Sequence, residues 1–230
     1  KDINMIFKPS TKTALVGESG SGKSTIIKLI LGLNSNYAGS IKYDTFDIDT
    51  IPANKMSKIA TLITNDSYLV QGSIRSHLSV NKHITEEDMY NALEKVNLKD
   101  FVIENGGLDY QLSCGASNLS GGQKQRLLAA KAILKDSYIY ILDEAVSNID
   151  DYSKKIVLDA FDSIKNGKII VVISHDLETI TNSDNIYVLK DQQIIEEGTH
   201  EQLIDKPSLY KKLFNDQQQL KEKFLAKEVE

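Results

Sequence analysis

The chain has 230 residues, of which 41% are hydrophobic and 26% charged, with a formal net charge of −5. This composition is typical of a globular domain, and it excludes a disordered or collagen-like chain. Acidic and basic residues are interspersed without a basic stripe, so no nucleic-acid partner is expected.

Short apolar runs alternate with amphipathic segments along the chain. Apolar runs bounded by polar or glycine residues predict buried strands at 14–16, 59–63, 138–142 and 169–173. Helical spacing predicts helices at 24–31, from Thr85 onward, after Gly122 and over 156–164. This order predicts an α/β fold, with a mostly parallel sheet and helices on both faces.

The apolar pattern also predicts a division of the chain into four parts. Residues 1–74 and 136–206 form the two parts of the α/β core, and residues 75–135 form an inserted helical subdomain with one strand near 109–112. Residues 207–230 form a C-terminal amphipathic helix that carries Leu209, Leu213 and Leu220. No run approaches the roughly 20 apolar residues of a membrane span, so we expect a soluble piece, cut from a longer protein.

A glycine-rich loop lies between the first predicted strand and the first predicted helix. It matches G-x-x-x-x-G-K-[ST] at Gly17, Glu18, Ser19, Gly20, Ser21, Gly22, Lys23 and Ser24. Glycines let successive backbone N–H groups point at phosphate oxygens, and the helix N-terminus adds a positive field. Lys23 would reach the β- and γ-phosphates, and the Ser24 hydroxyl would hold Mg²⁺. The loop, with Thr25, is predicted to bind a nucleoside triphosphate.

Two acidic residues end the predicted strand at 138–142. Asp143 would hold the shell of the Mg²⁺ ion, and Glu144 would orient or deprotonate an attacking water. A strand that runs into a solvated acidic turn is the alternative explanation. The glycine-rich loop elsewhere in the same chain favours the functional one.

A second motif of small residues stands before the helix that follows Gly122. It consists of Leu119, Ser120, Gly121, Gly122 and Gln123, and is continued by Lys124, Gln125 and Arg126. Backbone N–H groups at a helix start make a second anion site. With this motif the chain resembles the ATP-binding cassette (ABC) family over essentially its whole length. The resemblance implies a P-loop NTPase core with a small antiparallel N-terminal β region, and ATP hydrolysis.

The same resemblance assigns further roles. It maps the D-loop to residues 147–150, which include Asp150, and the switch histidine to His175. His77, His83 and His200 lie outside the motifs and are expected at the surface. In the family two cassettes pack head to tail, which implies that Ser120, Gly121 and Gly122 act in trans on ATP bound by a partner, in a homodimer or a heterodimer. It also implies a transmembrane domain, on the same or a separate chain, at the cytoplasmic face of the membrane.

Some positions depart from the family pattern. Asn65 stands where the family usually has its Q-loop glutamine, and its amide is assigned to the Mg²⁺ site. Cys114 replaces a usual glutamate, and Gln192 a usual glycine. The aromatic residue that stacks on adenine is expected upstream, in a part lost with the start of the chain, because Phe7 is too close to the loop.

Three functions are compatible with these motifs. Residues 72–75, 188–190 and 196–200 resemble exporter cassettes, which favours the motor of a membrane exporter. A soluble ABC ATPase of the translation or SMC-like repair type would usually show a second cassette or a long coiled coil. A regulatory nucleotide-binding module would close on ATP without useful turnover. Asn65 argues weakly for it, whereas the retention of Lys23, Asp143, Glu144 and His175 argues against it.

Overall fold

The computed structural model describes the backbone of residues 2–228 and the side chains of residues 2–223. Short 3₁₀ turns aside, the elements of this part are, in chain order, β1 (Thr11–Gly17), α1 (Lys23–Ile30), β2 (Lys42–Tyr43), β3 (Phe46–Asp47), α2 (Ala53–Ile59), β4 (Ala60–Thr64), β5 (Gly72–Ser73), α3 (Ile74–Leu78), α4 (Glu86–Lys95), α5 (Lys99–Glu104), β6 (Gln111–Leu112), α6 (Gly121–Leu134), β7 (Ile139–Asp143), α7 (Asp151–Ser163), β8 (Ile169–Ile173), β9 (Asn185–Lys190), β10 (Gln193–Gly198), α8 (His200–Ile204) and α9 (Leu209–Glu228).

Six strands form the central sheet, in the order β10-β9-β1-β8-β7-β4. Neighbouring strands run parallel except at β9 and β10, which pair antiparallel. The predicted α/β fold with a mostly parallel sheet is confirmed. In the first quarter of the described chain, the antiparallel β structure is the small β2–β3 hairpin.

Alternate residues of the strands enter two hydrophobic cores, one on each face of the sheet. On β7, Tyr140 and Leu142 belong to the larger core with residues of α4, α6 and α7. Ile139 and Ile141 belong to the smaller core with residues of α1 and α2. Burial on both faces explains why these strands are continuous apolar runs rather than alternating ones.

The chain between β4 and β7 is helix-rich, as expected. Its first long helix, α4, begins with a capping box in which Thr85 and Asp88 each accept a hydrogen bond from the backbone N–H of the other. The strand expected near residues 109–112 is β6, which pairs antiparallel with β5. The division of the chain into separate domains stays a prediction.

The C-terminal helix α9 is apolar over only part of its described length. Leu209, Leu213 and Phe214 pack against the larger core, whereas Leu220 is 56% exposed. The end of the expected helix, residues 229 and 230, lies outside the described residues. Among the described residues, no helix combines the length and the apolar character that a membrane crossing needs.

The β9–β10 hairpin turns through Asp191 and Gln192, with φ angles of 50° and 64°. A two-residue turn with both φ angles positive matches the twist of the flanking strands, and it favours glycine at its second position. Gln192 occupies that position, so an L-side chain adopts the left-handed conformation there.

We predict that Gln192→Gly raises the free energy of unfolding by about 1 kcal/mol, because glycine removes the steric cost of the left-handed backbone. Urea denaturation measures the change. Gln193→Gly is the matched control: its backbone is already extended in β10, so glycine there should lower stability by about 0.5–1 kcal/mol. A loss of stability in both variants would contradict the assigned turn.

Candidate functional site

The predicted site residues of the core gather where the parallel strands end. Gly17 ends β1 and Asp143 ends β7, while Asn65 and His175 come shortly after β4 and β8. Asp143 is in register with Thr64 on one side and with Ile173 on the other. The carboxyl edge of an open α/β sheet is where such folds bind ligands. Asn65 is exposed at this edge.

The glycine-rich loop leaves no room for side chains at its start. A Cβ atom on Gly17 would lie 2.3 Å from the Leu189 carbonyl oxygen and 2.6 Å from the Ser21 Oγ. Gly22 precedes α1 with a φ of 105°, and the exposed Ser24 and Thr25 lie in the first turn of that helix. The loop opens on a cleft of about 240 Å³, lined by Glu18, Ser19, Gly20, Ser21, Lys190, Asp191 and Gln192. A backbone loop at a helix N-terminus is suited to bind phosphate.

The Lys23 ammonium is folded into this loop. Its Nζ donates to the carbonyl oxygens of Gly17 (2.7 Å) and Glu18 (2.9 Å), and the residue is only 9% exposed. Burial lowers the pKa of Lys23, although the negative charges of Glu144 and Asp143 oppose the shift. Phosphate oxygens would be stronger acceptors for this cation than neutral carbonyls.

The Asp143 carboxylate is half-buried, and the positive charges near it do not compensate for that burial. Burial and then the charge of Glu144 raise its pKa, and the attractions of Lys23 and His175 offset this only in part. A divalent cation would relieve this cost. Among the described residues, no group of three or more His, Cys, Asp or Glu side chains could hold a metal. Mg²⁺ usually takes one or two protein carboxylates and completes its shell with substrate phosphates and water.

The side chains of Glu144 and His175 are in direct contact. The distance from His175 Nε2 to Glu144 Oε1 is 2.8 Å, with the side chains 60% and 33% exposed. Glu144 has a φ of 53°. Its N–H donates to the Ile173 carbonyl (2.9 Å), and its own carbonyl accepts from the N–H and Oγ of Ser147 (3.0 and 2.8 Å). A strained backbone held by several hydrogen bonds is typical of functional sites.

The second motif lies against the predicted D-loop. Ser120 begins α6 in a capping box with Gln123, with distances of 3.1 and 2.8 Å, and Leu119 is buried in the larger core. A Cβ atom on Gly122 would lie 2.2 Å from the Ser153 Oγ and 2.7 Å from an oxygen of Asp150. Asp150 itself caps α7. The starts of α6 and α7 are therefore in direct contact.

The predicted site residues thus form two groups. The edge group contains the glycine-rich loop, Asp143, Glu144 and His175. The helix-start group contains Ser120, Gly121, Gly122 and Asp150. Among the described residues, no hydrogen bond joins Ser120–Gln123 to residues 17–25.

The prediction that His77 lies at the surface is wrong. His77 is 5% exposed, and its Nε2 lies 2.9 Å from the Val70 carbonyl oxygen. That His77 lies outside every motif does not indicate which face of α3 it occupies. His200 is half-buried and packs against Tyr210 and Phe214, whereas His83 is exposed as expected.

Two contacts near the site have no signal in the sequence. The Gln217 side chain of α9 reaches the backbone of His175, at 2.7 Å. Phe7 packs edge-on against Tyr187 of β9, with a centroid distance of 6.3 Å, and belongs to the smaller core. Both depend on where distant parts of the chain dock.

A family model described as ABC transporter matches residues 1–147. The chain belongs to the ABC transporter family. A Haemophilus influenzae protein, named an uncharacterized ABC transporter ATP-binding protein, is 39% identical over 96% of this chain and 40% of its own length. The ATP-dependent lipid A-core flippase of Saccharophagus degradans is 37% identical over 94% of this chain and 37% of the flippase.

The structural comparison agrees with this family. A bacterial Atm1-family ABC exporter with ATP bound superposes with a TM-score of 0.84 and 27% sequence identity. The match covers 92% of this chain and 38% of that one. The chain therefore spans 40% or less of these three relatives.

We predict that Gly122→Ala lowers the free energy of unfolding by about 1–3 kcal/mol, because the new methyl group forces apart the starts of α6 and α7. Thermal unfolding of the chain without nucleotide measures the effect. Gly121→Ala is the matched control, since the nearest atom to its Cβ would be Ile149 Cγ2 at 4.0 Å. Equal stability of the two variants would show that the helix starts do not pack this closely.

Proposed function

We propose that this chain is the ATP-binding and ATP-hydrolysing motor domain of an ABC membrane exporter, working as a head-to-tail dimer at the cytoplasmic face of the membrane. The observation that carries the proposal is the arrangement of the edge group: the phosphate loop, Asp143 and the Glu144–His175 pair at one sheet edge. Family membership supports the nucleotide and the reaction. The names of the flippase and of the Atm1-family exporter support the direction of transport.

The first step is binding of ATP with Mg²⁺. Backbone N–H groups of residues 17–25 bind the phosphates, and Lys23 exchanges its carbonyl partners for β- and γ-phosphate oxygens. Ser24 and Asp143 would hold the Mg²⁺ ion, and Asn65, which follows the Thr64 that is in register with Asp143, would orient its water shell. When bound, Mg²⁺ neutralises charge that develops on the phosphate oxygens.

The second step is attack by water on the γ-phosphate, which breaks the bond from the γ-phosphorus to the β–γ bridging oxygen and releases ADP and phosphate. One carboxylate oxygen of Glu144 lies 2.8 Å from His175 Nε2, and the carboxylate has a second oxygen that can accept a proton from the attacking water. His175 orients Glu144 and donates toward the γ-phosphate. The presence of both Glu144 and His175 favours a motor that hydrolyses ATP over a regulatory module that only binds it.

The remaining donors come from a second cassette, identical or different. The helix-start group of one chain, Ser120 to Gly122, binds the γ-phosphate of ATP held by the edge group of the other. The exposed surface of residues 67–75, which includes Tyr68 (79% exposed) and Val70 (56% exposed), contacts the transmembrane domain. The transmembrane partner distinguishes the transport motor from a soluble ABC ATPase of another kind.

We predict that Glu144→Gln reduces the rate of ATP hydrolysis by about 10²–10⁴, the contribution of a general base. ATP affinity should stay within about twofold, because the phosphate loop is unchanged. Phosphate release and equilibrium binding of a fluorescent ATP analogue measure the two quantities. Glu87→Gln, an exposed change in α4, is the control and should keep the parent rate. Hydrolysis by Glu144→Gln at the parent rate would exclude Glu144 as the base.

A further inference from the structure

The loop after His175 is held by one side chain of α9. Gln217 donates from Nε2 to the His175 carbonyl oxygen (2.7 Å) and accepts at Oε1 from the Leu177 N–H (2.8 Å). These two backbone groups flank Asp176, so a single amide fixes the chain on both sides of it. Both the donor and the acceptor of the Gln217 amide are used by this loop.

Charged contacts reinforce the same attachment. One oxygen of Asp176 binds Lys154 of α7, and the other binds Lys221 of α9, each at 3.0 Å. Lys221 also binds Glu178 at 2.6 Å. Burial alone would raise the pKa of Asp176, but the hydrogen bonds and charges of the two lysines outweigh it and lower the pKa. The loop is thus attached to α7 on one side and to α9 on the other.

The His175 ring depends on this backbone for its orientation. Its side chain is 60% exposed, so packing restrains it little, and among the described residues the ring contacts Glu144, with Nε2 2.8 Å from Oε1. A shift of the His175 main chain would move Nε2 away from its 2.8 Å contact. Catalytic geometry is sensitive to such small displacements.

We propose that Gln217 is a positioning residue for the Glu144–His175 pair. Through this amide, α9 holds the backbone of residues 175–177 in the geometry that catalysis needs. The inference rests on the proposed function, since it concerns the same edge group. Gln217 does not reach the phosphate loop; its described hydrogen bonds go to His175 and Leu177. Its loss should therefore affect turnover and leave ATP binding intact.

The kinetic test compares Gln217→Leu with Gln218→Leu in the 230-residue chain. Gln218 is the next residue of α9, and it bonds only to Glu178 among the described residues. We expect Gln217→Leu to lower kcat about tenfold, as roughly 1.4 kcal/mol on the barrier would, with KM for ATP unchanged, while Gln218→Leu keeps the parent kcat. Gln217→Glu keeps the acceptor for the Leu177 N–H but loses the donor, so its kcat should fall in between. An unchanged kcat in Gln217→Leu, or an equal fall in both leucine variants, would overturn the proposal.

A second readout does not depend on turnover. The chain has four histidines, so the ring signals of His175 in ¹H–¹³C NMR spectra can be assigned from their absence in His175→Ala. These signals should shift in Gln217→Leu and Gln217→Glu, and they should stay in place in Gln218→Leu. If the parent chain failed to hydrolyse ATP, the proposed function would be wrong. The NMR comparison would still show whether Gln217 positions the His175 ring. Unmoved His175 signals in both Gln217 variants would overturn the positioning role.

Discussion

The hydrogen-bonded register of the parallel strands is the constraint on which the site depends. Asp143 at the end of β7 pairs in register with Ile173 at the end of β8, and the next residue, Glu144, donates its N–H to that same Ile173. His175 lies two residues after Ile173, and its Nε2 is 2.8 Å from Glu144 Oε1. A slip of one residue would turn every side chain of a strand to the other face, and the two hydrophobic cores exclude this.

The edge group holds charged side chains in surroundings that disfavour their charged forms. Burial lowers the pKa of Lys23 and raises the pKa of Asp143, so each group is held in an environment that disfavours its charged form. Glu144 is held at a positive φ as well. Such costs are common where a site is preorganised for a charged ligand. In the proposed function, a phosphate chain with a divalent cation would supply the missing opposite charges.

Sequence patterns predicted the features that local rules govern. Apolar runs predicted β1, β4, β7 and β8 but not β9, and the helix predicted from Thr85 onward is α4. The residues of the edge group were predicted from the glycine-rich loop, from the acidic strand end and, for His175, from the family resemblance. The β9–β10 turn was missed, because Gln192 carries no glycine signal at a position that favours glycine. The burial of His77 and the contact of Gln217 with His175, 42 residues away, follow from how helices dock. The exposed Leu220 shows the same limit, since its helical spacing does not reveal where the core ends.

In the proposed function, one chain carries two separate halves of an ATP site, and a second cassette completes them. The most direct test is the solution mass of the Glu144→Gln chain, measured by light scattering after size exclusion with Mg-ATP, with Mg-ADP and without nucleotide. We expect a monomer without nucleotide or with ADP, and a dimer with ATP. A chain that binds ATP and stays monomeric would contradict pairing with a second copy of this chain and would point to a different partner cassette.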